Sequence, residues 1–133
     1  GDHHYMKRLR KKSKADKTIL TYGDDCMDLH EKKCIPCQGG IPPLTQEEIE
    51  PYMEQIHDDW ALVADHHIER IFSFNDFKNA LEFVNKAGEI CEQEDHHADF
   101  ELGWGRVKIM IWTHKIDGLN EADFILAAKI DNV

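Results

Sequence analysis

The order of amphipathic segments predicts an α+β domain, α-β-β-α-β-β-α, in which an antiparallel four-stranded sheet carries helices packed on one face. Helical spacing of apolar residues recurs in three places, around 49–56, 77–91 and 122–130. Between them stand two stretches of strand-like alternation, around 60–74 and 100–114, each long enough for two strands joined by a turn. Charged residues make up 32% and hydrophobic ones 41% of the 133 residues, which suits one soluble core and no second one. No apolar run approaches a bilayer's thickness, so no membrane association is expected.

The domain is expected to occupy residues 42–133, after an N-terminal extension over 1–41 without sustained apolar periodicity. Residues 1–18 carry seven basic side chains, Lys7, Arg8, Arg10, Lys11, Lys12, Lys14 and Lys17, against Asp2 and Asp16. The arm is therefore net +5, and with a total of −10 the remainder is net −15. An acidic body repels phosphate backbones and argues against nucleic acid as its partner. The arm itself is expected to be partly disordered and solvated. Four cysteines, Cys26, Cys34, Cys37 and Cys91, without a secretory apolar region point to reduced thiols and a cytoplasmic location, with organellar targeting by the basic arm left open. Cys26, His30, Cys34 and Cys37 contain enough soft ligands for a tetrahedral zinc site, but their spacing matches no common finger or ribbon. No metal is the preferred reading, and this set is the alternative.

Taking the elements in order, Thr45-Gln46-Glu47-Glu48 has capping-box form, flanked by Leu44 and Ile49 as a hydrophobic staple. Ile49, Tyr52, Met53 and Ile56 form one face, and Pro51 is expected to kink the helix. Trp60, Leu62 and Ala64, then Phe72 and Phe74, alternate as two strands around Asp65-His66-His67. Adjacent strand side chains point to opposite faces, so His66 and His67 are expected as exposed turn residues and not as a chelating pair. Asn75 is the expected cap of the long helix, with Phe77, Ala80, Leu81, Val84, Ala87, Ile90 and Cys91 as its buried stripe. Phe100, Leu102 and Trp104, then Val107, Ile109 and Ile111, make the second strand pair, with Gly103 and Gly105 marking a bulge or close backbone approach. Asn120 caps the last helix, whose stripe is Ala122, Ile125, Leu126 and Ile130. A sheet face or edge left uncovered in one chain favours self-association.

Chemistry concentrates between Glu92 and Asp123, where His96, His97 and His114 stand among carboxylates. Imidazoles titrate near neutrality, so one can donate a proton while a neighbour accepts one, as addition or elimination of water requires. A carboxylate such as Glu92 or Asp95 would orient an imidazole; from its position Glu92 would share a face with His96 if the helix continued. Catalysis, metal binding and a structural role all remain open at this level. Gly-x-Ser-x-Gly, Gly-x-Gly-x-x-Gly and Walker-type loops are absent from the sequence.

The spacing Glu92-x3-His96-His97, Trp104, nine residues to His114 and eight more to Asp123 resembles the signature of the pterin-4a-carbinolamine dehydratase family. The likeness continues through Trp60, Phe72-Ser73-Phe74, Phe77, Ala80, Phe83 and Gly118-Leu119. It implies dehydration of 4a-hydroxytetrahydrobiopterin to quinonoid dihydrobiopterin in tetrahydrobiopterin recycling, a lyase (hydro-lyase) reaction linked to the aromatic amino acid hydroxylases, with no cofactor and a homodimer or homotetramer. By the same resemblance, His96, His97 and His114 are catalytic. Asp95 and Trp112-Thr113 join those histidines in contacting the pterin, and Glu92 and Asp123 are supporting acids. Ala98 stands where many members have Pro after the histidine pair, which loosens the backbone there. The extension resembles one in some longer members. The alternative that the resemblance raises is a protein-binding dimerisation cofactor or transcriptional coactivator without essential catalysis.

Overall fold

The computed structural model describes residues 28–35 and 39–133; the basic arm, Cys26 and Cys37 lie outside the described residues. Seven elements follow the expected order: α1 (Gln46–Met53), β1 (Ala61–Val63), β2 (His67–Ser73), α2 (Phe77–Glu94), β3 (Asp99–Gly103), β4 (Arg106–Ile111) and α3 (Glu121–Asp131). Short 3-10 turns cover Leu29–Glu31 and His114–Ile116. The sheet runs β1-β2-β4-β3, and every neighbouring pair is antiparallel.

Register explains which side chains meet the helices. Leu62 pairs with Ile68, Ile68 with Ile111, Phe72 with Val107, and Val107 with Leu102. Because side chains alternate across a strand, these residues share one face, and Ile68, Val107, Ile109 and Ile111 on it are buried. Arg70 also lies in that register. It is neutralised by Asp131, whose carboxylate accepts from the Arg70 guanidinium at 2.7 Å and from Trp60 Nε1–H at 2.9 Å. Burial raises the Asp131 pKa even though these donors pull it down.

Thr45 caps α1 with the expected capping box, and Ile49 is fully buried. The helix continues through Pro51 and stops at Met53, so Ile56 reaches the core from the following turn. α2 begins one residue later than expected, on Asp76, whose carboxylate accepts from Asn79 N–H. Its buried stripe is Ala80, Phe83, Ala87, Cys91 and Glu94. Phe77 and Leu81, expected inside, remain 43% and 40% exposed. They lie about 100° away along the helical wheel from the side that touches the sheet.

Gly105 occupies a positive φ of 68°, and a Cβ there would stand 2.8 Å from the Phe74 carbonyl, so the close approach expected of these glycines falls on Gly105. Ala64 and Asp65, both with positive φ, form the β1–β2 turn in place of the extended Ala64 that alternation implied.

α3 is buried almost all round, from Ala122 to Ala128 and at Ile130, well beyond the expected stripe. The reason lies in the extension. Leu29 and Cys34 belong to the same apolar cluster, and the turn that holds Leu29 packs against α3. Cys34 N–H donates to Glu94 Oε1 at 2.9 Å, Lys129 donates to the His30 carbonyl at 2.8 Å, and Lys32 pairs with Glu121 at 3.1 Å. Residues 28–35 are thus strapped to the ends of α2 and α3, which an arm standing clear of the core would not be. Among the described residues no helix is long and apolar enough to cross a membrane.

Candidate active site

β3 begins, and β4 ends, at the same end of the sheet, which brings the His96-His97 segment beside the Thr113-His114 turn. α2 stops at Glu94 because Asp95 adopts the left-handed conformation (φ 51°), its N–H closing on the Cys91 and Glu92 carbonyls. The chain then runs without regular structure through His96, His97 and Ala98 into β3.

Each histidine has a different carboxylate as its neighbour, hydrogen-bonded at His96 and His97 and more distant at His114. His96 Nε2 lies 2.6 Å from Asp123 Oδ1. Asp123 is completely buried as the third residue of α3. Its other oxygen accepts from Thr113 Oγ1–H at 2.8 Å and from the Asn120 backbone N–H at 2.9 Å. A carboxylate offers only acceptors here, so His96 carries its proton on Nε2 and leaves Nδ1 as a lone-pair acceptor. His97 Nε2 contacts Glu92 Oε2 at the exposed rim. Glu92 therefore pairs with His97, and not with His96, because the left-handed turn at Asp95 swings the chain off the helix. His114 Nε2 lies 4.0 Å from Asp99 Oδ2, and its ring meets Trp112 edge-on at 4.3 Å. About half of each of the His97 and His114 side chains is open to solvent, whereas His96 is largely enclosed.

The expected residues divide as follows. His96, His97, His114, Glu92, Asp95, Trp112, Thr113 and Asp123 gather at this end. Thr113 is buried, with its hydroxyl committed to Asp123. Trp104 does not join them: it sits 74% exposed in the β3–β4 turn, five positions or roughly 17 Å along the strand from Asp99. Asp99 is a partner that sequence reasoning missed. Its only signal was cross-strand position, opposite Met110 and just short of His114. Of the alternative metal set, Cys26 and Cys37 lie outside the described residues. Cys34 is buried with its Sγ 3.5 Å from the Ala122 carbonyl, and burial followed by the Glu94 charge pushes its thiol up to about 12, which opposes the thiolate a metal needs. An open groove of about 370 Å³ between Ser73, Phe74, Asn79, Phe83 and Val133 lies at the far end of the sheet and contains no histidine.

The sequence pattern of the family Pterin 4 alpha carbinolamine dehydratase matches residues 42–133. The chain belongs to this family. A relative from Alkaliphilus metalliredigens (strain QYMF), named "Putative pterin-4-alpha-carbinolamine dehydratase", is 54% identical over 104 residues, covering 78% of this chain and 94% of the relative. One of the same name from Rubrobacter xylanophilus is 50% identical over 106 residues, covering 80% and 98%. These shares exceed what residues 42–133 make up, so the likeness to these pterin-4-alpha-carbinolamine dehydratase relatives enters the extension. A crystal structure from Brucella melitensis, described as a transcriptional coactivator/pterin dehydratase, superposes with a TM-score of 0.63 at 31% identity, covering 68% of this chain and 96% of that one. A pterin dehydratase-like protein described as a RuBisCO assembly factor shares the fold alone, at 19% identity and a TM-score of 0.50. Membership in the family supports a dehydratase, that is a lyase, acting on a pterin.

Proposed function

We propose that the protein dehydrates 4a-hydroxytetrahydrobiopterin to quinonoid dihydrobiopterin by histidine general acid/base catalysis, in the service of tetrahydrobiopterin recycling. The observation that carries the reading is the group of three imidazoles at one end of the sheet, two of them hydrogen-bonded to carboxylates and the third, His114, with Asp99 4.0 Å away. In the reaction the C4a–oxygen bond breaks and the hydroxyl leaves as water with a donated proton. A proton is lost from the adjacent ring nitrogen, whose bonding pair becomes the new C=N bond. An imidazolium can give the first proton and a neutral imidazole can take the second, each step contributing roughly 10²- to 10⁴-fold. His97 and His114, open to solvent, are the groups that exchange protons most readily. His96 supplies an oriented Nδ1 from within. Asp95 and Trp112 line the approach, while Glu92, Asp99 and Asp123 act through the histidines as positioning residues.

The protein works in this reading as a cytoplasmic homodimer or homotetramer, with Phe77 and Leu81 of α2 as exposed apolar anchors for a second copy. The same two residues favour the alternative, a dimerisation cofactor or coactivator that binds other proteins. The deciding experiment follows the absorbance of freshly generated 4a-hydroxytetrahydropterin against its spontaneous decay. Acceleration by the wild type that collapses in His97→Ala supports the enzyme. A folded wild type that gives no acceleration overturns it and leaves the protein-binding reading.

A further inference from the structure

The β1–β2 turn holds a second histidine pair, which adjoins the candidate active site through the indole of Trp112. Alternation made His66 and His67 diverge, but Ala64 and Asp65 complete the turn in left-handed conformations and leave His66 as its last residue, ahead of β2. The rings meet nearly at right angles, and the two Nδ1 atoms stand 3.1 Å apart. On the far side of each ring, His66 Nε2 lies 2.7 Å from Asp117 Oδ1 and His67 Nε2 lies 3.3 Å from Glu69 Oε1. Carboxylates accept and do not donate, so both protons belong on Nε2. The two Nδ1 atoms then face each other at a separation that either a shared proton or a metal ion between them would hold.

We infer that His66 and His67 form a binding site for a divalent transition-metal ion of the nickel, copper or zinc class, ligated by the two Nδ1 atoms. At a metal–nitrogen distance of about 2.1 Å, nitrogens 3.1 Å apart subtend roughly 95° at the ion, close to the cis angle of square-planar and octahedral sites. Asp117 and Glu69 supply the carboxylate–histidine–metal arrangement that fixes the ring tautomer and strengthens an imidazole ligand. Their two negative charges balance the ion, with Lys108 touching only the outer Glu69 oxygen at 3.6 Å. Water completes the coordination, since both side chains are part-exposed. The pair is distinct from the histidines assigned to dehydration, and the inference does not rest on that assignment. Trp112 packs on both rings, at 5.3 Å from His66 and 5.7 Å from His67, and gives the site a built-in reporter.

The test titrates the full chain with nickel chloride in a non-chelating buffer, reading bound metal by equilibrium dialysis and indole emission by fluorescence. Ions held elsewhere on the chain are common to every variant, so the difference is the signal. The double variant His66→Gln/His67→Gln is expected to bind one ion fewer and to lose the saturable quenching. Trp112→Phe is expected to lose that quenching while keeping the ion. Asp117→Asn retains a residue tolerant of the left-handed backbone (φ 50°) and is expected to weaken this ion by about 10- to 100-fold. Equal stoichiometry and equal quenching in the wild type and the double variant would mean that the pair shares a proton only, and would overturn the inference. Wild-type affinity in Asp117→Asn would overturn the role of the carboxylate.

Discussion

Replacing Asp123 by Asn separates positioning from packing better than any other change at the site. The carboxylate is fully buried and receives three donors, His96 Nε2–H at 2.6 Å, Thr113 Oγ1–H at 2.8 Å and Asn120 N–H at 2.9 Å. An amide of the same shape can keep its oxygen on Thr113 and Asn120, but its NH2 then faces His96. The imidazole must answer with a lone pair on Nε2 and move its proton to Nδ1, so the atom offered to the reaction changes from acceptor to donor. Exchanging one charge-assisted hydrogen bond for a neutral one costs about 1–1.5 kcal/mol, and each kcal/mol lowers the melting temperature by roughly 4–5 °C in a domain of this size. The dehydration rate, by contrast, is expected to fall by roughly 10²- to 10⁴-fold.

The assay is 4a-hydroxytetrahydropterin decay as a function of pH, with Asp123→Asn, His96→Ala and the double variant measured beside the wild type. A residue acting through another gives a non-additive cycle, so the double variant should be no slower than His96→Ala alone. Two losses that multiply would refute the reasoning, as would Asp123→Asn running at the wild-type rate with an unchanged pH profile. Asp123→Ala is a poorer probe. It strands three buried donors at roughly 1–3 kcal/mol each, and loss of the fold would hide the chemistry.

Glu92→Gln is expected to leave stability within about 0.5 kcal/mol, because the His97 pair is exposed, while slowing dehydration; a wild-type rate would remove Glu92 from the mechanism. Glu94 is buried, yet the Cys34 N–H, Lys129 and Lys33 outweigh that burial and lower its pKa from 4.5. Its stabilising effect is therefore full above that ordinary value and is lost as the pH falls through the lowered one. The melting-temperature gap between wild type and Glu94→Gln should be widest near neutrality and close in acid, and a gap independent of pH would contradict this. Cys34, with its thiol pushed up to about 12, is expected to resist alkylation at neutral pH until the protein is unfolded, as peptide mapping would show. Gly118→Ala places a Cβ 2.5 Å from Pro43 Cβ and is expected to destabilise by about 1–3 kcal/mol in a urea titration.

Elements whose environment resembles their pattern were legible in the sequence. Val107, Ile109 and Ile111 alternate because one face of β4 meets helices, and all three are buried. The Thr45 capping box is entirely local, and it forms. Misreadings occurred where a non-local surface decides burial. Phe77 and Leu81 fit the apolar period of α2, but the sheet takes the neighbouring side through Ala80, Ala87 and Cys91, whose small side chains allow close approach. In α3 the narrow stripe became all-round burial because Leu29 and Cys34, far upstream and without periodicity of their own, pack against it. No window-based reading of 121–131 contains that information.

At the site, residue types could be read and their pairings could not. A carboxylate four positions before a histidine predicts contact only while the helix continues, and one left-handed residue, Asp95, transfers Glu92 from His96 to His97. The partner of His96 lies 27 residues away, on the first turn of a helix whose own cap it also completes. That double duty gives Asp123 its physical logic. The N-terminus of α3 stabilises a carboxylate through the Asn120 N–H and the helix dipole, and the same carboxylate fixes the tautomer of His96. A change at the cap therefore alters an imidazole in the site before it alters the fold, which is why the rate loss expected for Asp123→Asn exceeds what its small loss of stability would explain.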